Sequence, residues 1–346
     1  MKKFLFFAAF AAAMFTGCSK DNEIESADAS VLGEIGFRAY TSKGETKAGA
    51  TISDENFGNF KVFGIWENGS SYEAYINGQI VEKKWPAATW DYTPHRFWPA
   101  GGDVDFYAYS PATSAFAAFT AGTTSAKAHK LSYTVPVKFN QQEDLLVSKN
   151  ETATAGTAVD MKFDHALSQF VFEARGNYNE LDYTVEKIEL INIFSTAVYD
   201  YNPAPLAFEW GTYTGTQSYT VIDEESPVHV AYHATDFTKI TSDAANTALM
   251  VIPGAWEGSV DPGSATVTTT PAATWGYIAI TFSIKDAFGL DYNKNTPIWY
   301  IPIKVTPELN KRYVYQLVFG NALEPLTFTA EVNDLDADVV VPVVAP

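Results

Sequence analysis

A single cysteine, Cys18, stands among 346 residues, and histidines number only five. One thiol cannot close an intrachain disulfide, and it cannot build a cysteine-based metal site. Basic residues are also scarce: 23 Lys and Arg face 41 Asp and Glu, for a formal net charge of -18. Such a surface repels nucleic-acid phosphates and anionic lipid heads, so nucleic acid is excluded as an expected partner. Outside the N-terminus no apolar run approaches the roughly twenty residues of a spanning helix. Long helical periodicity is absent as well.

Catalytic signatures are missing too. There is no phosphate-cradling glycine loop and no G-x-S-x-G nucleophile turn. His229 and His233 have a zinc-protease spacing, but Val230 stands where glutamate is required and the context is a strand. Asp334, Asp336 and Asp338 mimic the start of a calcium loop, yet Val339 and Ala345 hold the positions that need Gly and Glu. Asp291, Asn293 and Asn295 fail in the same way at Thr296 and Pro302, and both stretches read as solvated acidic turns. His165 reads as a hydrogen-bonded core or turn residue. Trp85, Trp90 and Trp275 could stack sugars, but tryptophans in a β-rich chain also serve as core. The expectation is a protein without enzymatic activity, cofactor or metal.

What the chain does have is strand-forming residues. Aromatics make up 15% of it, and Thr, Val and Ala are abundant. The pattern predicts an all-β protein of many short strands separated by turns, and the length fits about two domains. Ile35, Phe37 and Ala39 alternate in a first strand over 35–40, followed by a polar loop holding Lys43 and Lys47. Residues 59–66 read as a strand buried on both faces. Over 104–111, Val104, Phe106 and Ala108 alternate with Asp105, Tyr107 and Tyr109. The stretch 112–119 fits a short helix or a loop. Strands follow at 131–135 and 144–147, and residues 159–174 form two strands or one bent strand broken near His165. The polar run 176–180 is the expected domain boundary. Later strands are expected at 183–191, 228–232, 248–252, 277–284, 298–305, 312–319 and 326–332. The end of the chain, Val339, Val340, Val341, Val343 and Val344 around Pro342, is apolar where termini are usually polar. It either pairs within its own domain or enters a groove on a neighbour.

The N-terminus carries Lys2 and Lys3, an apolar run over 4–15 and small residues before Cys18, which is a secretory signal pattern. A cysteine directly after the cut resembles a bacterial lipoprotein signal, with a plain secretion signal as the alternative. Lipidation at Cys18 would tether the chain to a membrane without inserting it. Lys20, Asp21 and Glu23, in a tether that runs to about residue 29, resemble the acidic export signal of Bacteroidetes surface lipoproteins.

Several stretches together resemble the fimbrillin superfamily, the pilins of Bacteroidales fimbriae. They are Arg96-Phe97-Trp98-Pro99, then 104–111, 142–147, the run Met161-Lys162-Phe163-Asp164-His165-Ala166-Leu167-Ser168, 249–253 and 313–332. The resemblance implies two transthyretin-like β-sandwich domains with Greek-key connections. The domain limits expected are a signal peptide over 1–17, a tether and propeptide over 18–47, and sandwiches over 48–176 and 177–346. It also implies a fimbrial subunit of the outer membrane and surface fimbrium, whose partners are other subunits and host or bacterial surface ligands. In that scheme a protease cuts after Lys47, before Ala48, or less favourably between Arg38 and Ala39. The first strand then leaves, and a neighbour's segment, sought in residues 339–344, fills the groove. The rival is a monomeric surface lipoprotein that binds glycans.

Overall fold

The computed structural model describes residues 33–41, 56–69, 71–122, 128–138, 141–201, 209–232, 235–241, 249–254, 276–294, 298–303, 306–320 and 326–334. Among these there is no α-helix. Strands run in the order β1 (Phe37–Thr41), β2 (Asn59–Asn68), β3 (Ser71–Lys84), β4 (Thr89–Asp91), β5 (Asp103–Ser110), β6 (Ala117–Thr120) and β7 (Lys130–Thr134). Next come β8 (Leu146–Asn150), β9 (Val159–His165), β10 (Ser168–Gly176), β11 (Asp182–Asp200) and β12 (Glu209–Ile222). The remainder are β13 (Val228–Val230), β14 (Thr238–Lys239), β15 (Leu249–Val251), β16 (Tyr277–Lys285), β17 (Ile298–Pro302), β18 (Lys311–Phe319) and β19 (Leu326–Asp334). The all-β expectation holds, and the ambiguous stretch 112–119 resolves into a turn followed by the start of β6.

Three sheets form. The first has the order β1-β9-β8-β5-β2-β3-β4, the second β14-β10-β18-β19 with β15 also on β10, and the third β17-β16-β11-β7-β6 with β12 and β13 also on β11. The break near His165 is a crossing between sheets. β9 ends the chain's run through the first sheet, and three residues later β10 enters the second, parallel to β18.

Alternation explains how strands can serve two cores at once. In β5, Val104, Phe106 and Ala108 point into one core with Phe37, Phe60, Val62, Met161 and Phe163. Tyr107 and Tyr109 point to the opposite face, into a second core shared with Leu131, Tyr199 and Tyr201. That second core continues between the second and third sheets, where Phe282 packs on Phe319 with ring centres 4.7 Å apart. The later sheets thus make a β-sandwich. Each large apolar side chain buried here contributes about 1.5–3 kcal/mol.

β11 is the spine. Ile188 to Ile191 pair with β16 on one edge while Ile188 and Leu190 pair with β12 on the other. Further along, Thr196 to Asp200 pair with β7 on the edge that β16 vacates. Strands from the early part of the chain therefore complete a sheet begun by late ones. Between β10 and β11 the chain turns at the polar run 176–180, where a methyl added to Gly176 would lie 2.2 Å from the Tyr183 ring. Only glycine allows that approach.

Candidate functional site

The first strand is built into its sheet from two sides. β1 pairs in parallel with β9, Phe37 opposite Val159 through Thr41 opposite Phe163. Just ahead of it, the Val159 amide donates to the Gly36 carbonyl at 2.7 Å. On the other side the Ile35 amide donates to the Arg96 carbonyl at 2.8 Å, and the Trp98 amide donates to the Gly33 carbonyl at 3.1 Å. A bridge between Glu34 and Phe97 completes this second seam. The segment 33–41 thus lies in a slot between β9 and the loop that follows β4.

The slot has an apolar floor. Ile35 and Phe37 are buried, and so is Thr41 at the far end. The Phe37 ring meets Tyr92, Phe106 and Phe60 edge-on, with centres 5.4, 5.7 and 5.9 Å away. Such aromatic contacts add about 0.5–1.5 kcal/mol beyond burial. Val159, Met161 and Phe163 of β9 and Trp98 share this core. The Tyr92 hydroxyl donates to the Ile35 carbonyl at 2.9 Å and accepts from the Arg96 amide at 3.1 Å. Burial pushes its phenol above the ordinary value, so it stays a neutral donor. The outward residues of β1 are exposed, and Arg38 Nε meets Asp160 Oδ1 at 3.1 Å on the neighbouring strand.

The expected processing and anchoring residues divide accordingly. Arg38 and Ala39 lie inside β1, where the backbone is already paired to β9. Cys18, Lys47, Ala48 and the terminal residues Val339, Val340, Val341, Val343 and Val344 lie outside the described residues. The slot's other wall was not anticipated from sequence: Glu34, Tyr92 and His95 carry no local motif, and their meeting depends on contacts about sixty positions apart in the chain.

The remaining candidates are structural. His165 is buried at the end of β9, its Nδ1 2.9 Å from Asp144 Oδ2. His229 pairs with Asp182 at 3.0 Å on the surface, and His233 is outside the described residues. Asn293 is not part of a solvated turn. It is buried, its amide donates to the Phe282 carbonyl at 2.7 Å, and it accepts from Trp299 Nε1 at 2.9 Å. Among the described residues no group of three or more His, Cys, Asp or Glu is arranged to hold a metal ion. Trp90 packs against Phe57 and Phe60, whereas Trp85 is 65% exposed. Trp275 is outside the described residues.

The described chain is thus a β-sandwich scaffold with an N-terminal strand seated in a slot between later segments. A profile of the fimbrillin-like family matches residues 43–334, and the chain belongs to that family. As such it is a structural, non-enzymatic protein of the fimbrial-subunit or adhesin type, of the cell-surface fimbrium and suited to assembly with other fimbrial subunits. Similar solved structures include a candidate cell adhesion protein from Bacteroides uniformis, at 13% identity and TM-score 0.49, covering 87% of this chain and 98% of that one. A fimbrilin, fimA, from Porphyromonas gingivalis aligns at 10% identity and TM-score 0.47, over 87% of this chain and 97% of the other. The tip fimbrial protein Mfa3 from Porphyromonas gingivalis, with C-terminal truncation, aligns at 11% identity and TM-score 0.35, over 80% and 94%. No curated protein matches the sequence.

Proposed function

We propose that this chain is a fimbrial subunit exported as a lipoprotein through Cys18, tethered to the outer membrane, and polymerised when β1 is exchanged for a strand of a neighbouring subunit. The observation that carries the reading is the seating of β1. It is an N-terminal edge strand that, with the residues just ahead of it, seats two large apolar side chains, Ile35 and Phe37, in an apolar slot. A strand that replaced it would gain the same backbone partners on β9 and the same pockets, which is strand addition in its simplest form. The apolar end of the chain, Val339, Val340, Val341, Val343 and Val344, supplies a segment of suitable composition. Head-to-tail exchange of this kind does not close on itself and yields a filament.

Cutting after Lys47 would separate 33–41 from the rest of the chain. Cutting between Arg38 and Ala39 would first require β1 to leave β9, because a protease needs the backbone that β9 already holds. Mass spectrometry of the N-terminus from outer membrane and from sheared surface fibres tests the scheme. A chain beginning at Ala48 in fibres supports it. Acylated Cys18 as the start of every molecule, with no fibres, overturns polymerisation.

A second reading, a surface lipoprotein that binds glycans, has one observation in its favour. Trp85 is exposed on the turn after β3, and the Lys83 ammonium lies 4.8 Å over its ring. Loss of glycan retention in a Trp85→Ala chain would favour it. The ligands of an adhesive subunit, on host or bacterial surfaces, would be sought on the same face.

A further inference from the structure

The turn that leaves β16 carries its apolar side chains outward. Phe288 is 96% exposed and Leu290 58%, and Tyr292 is exposed beside them. The turn is nonetheless well fixed. Asp286 Oδ1 accepts from the Phe288 and Leu290 amides at 2.9 Å each, and Asp286 Oδ2 accepts from the Tyr292 hydroxyl at 3.2 Å. The backbone adds donation from Gly289 to Asp286 at 3.0 Å, from Asp286 to Leu290 at 3.2 Å and from Tyr292 to Ile284 at 2.8 Å. Asp291 accepts from the Asn293 amide at 2.9 Å. Both carboxylates of the turn therefore serve to hold it, and what it presents to solvent is a phenylalanine and a leucine that the core does not use.

The surroundings extend the same chemistry. Lys285 pairs across the ladder with Asp182, the first residue of β11, and the chain reaches Asp182 from the end of β10 through 177–181. Tyr178 lies in that link, and Tyr232 bridges to Gly176 at its start, so two more exposed tyrosines stand at the same end of the sandwich as Phe288. Lys285 and Lys294 flank the turn. Both are exposed, and neither enters an ion pair among the described residues. Glu180 and Asp182 are acids of the same end, and Asp182 is engaged by His229 at 3.0 Å. An apolar tip, tyrosines around it and lysines at its flank suit the boundary of a bilayer. There apolar side chains enter the acyl edge, tyrosines straddle it and ammonium groups meet lipid phosphates.

We propose that the end of the sandwich built around Phe288 and Leu290 is a peripheral docking surface for a phospholipid bilayer with anionic headgroups. It is independent of strand exchange, because β1 and its slot belong to the first sheet and this turn closes a strand of the third. The chain as a whole is acidic, but at 0.1 M salt charges beyond about 10 Å are largely screened, so the two lysines act locally. A turn already fixed by its own hydrogen bonds inserts with little ordering cost. Two apolar side chains give a weak, reversible contact. On a chain already tethered to a membrane, the same contact gains from its effective concentration and orients the molecule.

A full chain carrying Cys18→Ser has no cysteine, so a single one can be placed at will. Ala287→Cys puts a fluorescent label beside Phe288, and Ala87→Cys puts the same label on the exposed turn between β3 and β4. Each chain is mixed with vesicles of phosphatidylcholine and phosphatidylglycerol, and quenching by a neutral aqueous quencher is read. The label at 287 should lose most of its quenching when vesicles are present, and the label at 87 should not. Because the reading is local, any contribution of the N-terminus is common to both. Phe288→Ser combined with Leu290→Ser should abolish the shielding. Lys285→Gln and Lys294→Gln should each weaken partitioning about fivefold on these vesicles and leave it unchanged on phosphatidylcholine alone. Equal quenching with and without vesicles, shielding that survives the loss of both Phe288 and Leu290, or lysine variants that partition like the parent would overturn the surface. So would shielding that grows with protein concentration in the absence of vesicles, which would assign the tip to a second copy of this chain. Fibre formation is scored separately, and its absence overturns strand exchange while leaving the lipid surface standing.

Discussion

The Tyr201 hydroxyl donates a 2.9 Å hydrogen bond to the Ala108 carbonyl, fastening the end of β11 to the middle of β5. The Tyr201 ring also packs edge-on against Tyr107, with centres 5.4 Å apart. Burial raises its phenol well above the ordinary value, so the hydroxyl is a protonated donor at neutral pH. Tyr201→Phe keeps the ring and removes the bond. It should cost about 1–2 kcal/mol in urea unfolding, the penalty for a buried carbonyl that loses its donor.

The slot for β1 makes a contrast between two phenylalanines. Phe37→Ala removes a ring held by three aromatic neighbours and should cost about 3–4 kcal/mol. The loss should appear first as faster hydrogen exchange in β1. Phe288 is 96% exposed at the turn after β16, so Phe288→Ser should leave stability within about 0.5 kcal/mol of the parent.

Asp144 and His165 form a pair with no solvent access beside the crossing from β9 to β10. Asp144→Ala takes the carboxylate from a buried ring. The expected loss is about 3 kcal/mol or more in chemical denaturation. Asp144→Asn, which keeps an acceptor, should lose less.

Glu143 supplies a pH dependence with a definite sign. Burial pushes its carboxyl above the ordinary 4.5, against the lowering effect of the Ser114 hydroxyl that donates to it. A carboxyl that holds its proton more tightly when folded contributes stability below its unfolded value and loses it as pH rises through the folded one. Glu143→Gln should therefore stabilise the protein at pH 7 relative to the parent. The difference should vanish near pH 4. Paired denaturation curves at the two pH values measure it.

Much of this fold can be read from local pattern, and the reasons for the exceptions are physical. In β5 strict alternation announced two faces, and both faces turned out to be core. The pause around His165 marked a break that the sequence left as two strands or one bent strand, and the structure makes it a change of sheet. β3 gave no comparable signal, because it is a mostly solvated hairpin strand whose sequence SYEAYINGQIVEKK alternates poorly and bulges at Gly78. β12, rich in Thr with two Gly, is a strand chiefly because β11 offers it a long edge, and three register shifts interrupt the pairing. Ile35 and Phe37 marked the first strand correctly, but its partner β9 lies more than a hundred residues away. Long-range pairing leaves no trace in a short window, and neither does a surface contact such as that of Glu34 with His95.

The arrangement of β11 has a mechanical consequence. Its nineteen residues span roughly 60 Å when extended. Ladders to β16, β12 and β7 flank this strand along its length, with hydrogen bonds lying across the strand direction. A pull along β11 would load these bonds in shear, many together, whereas a pull across it would open them one at a time like a zip. The fold should therefore resist a pull along β11 better than a pull across it.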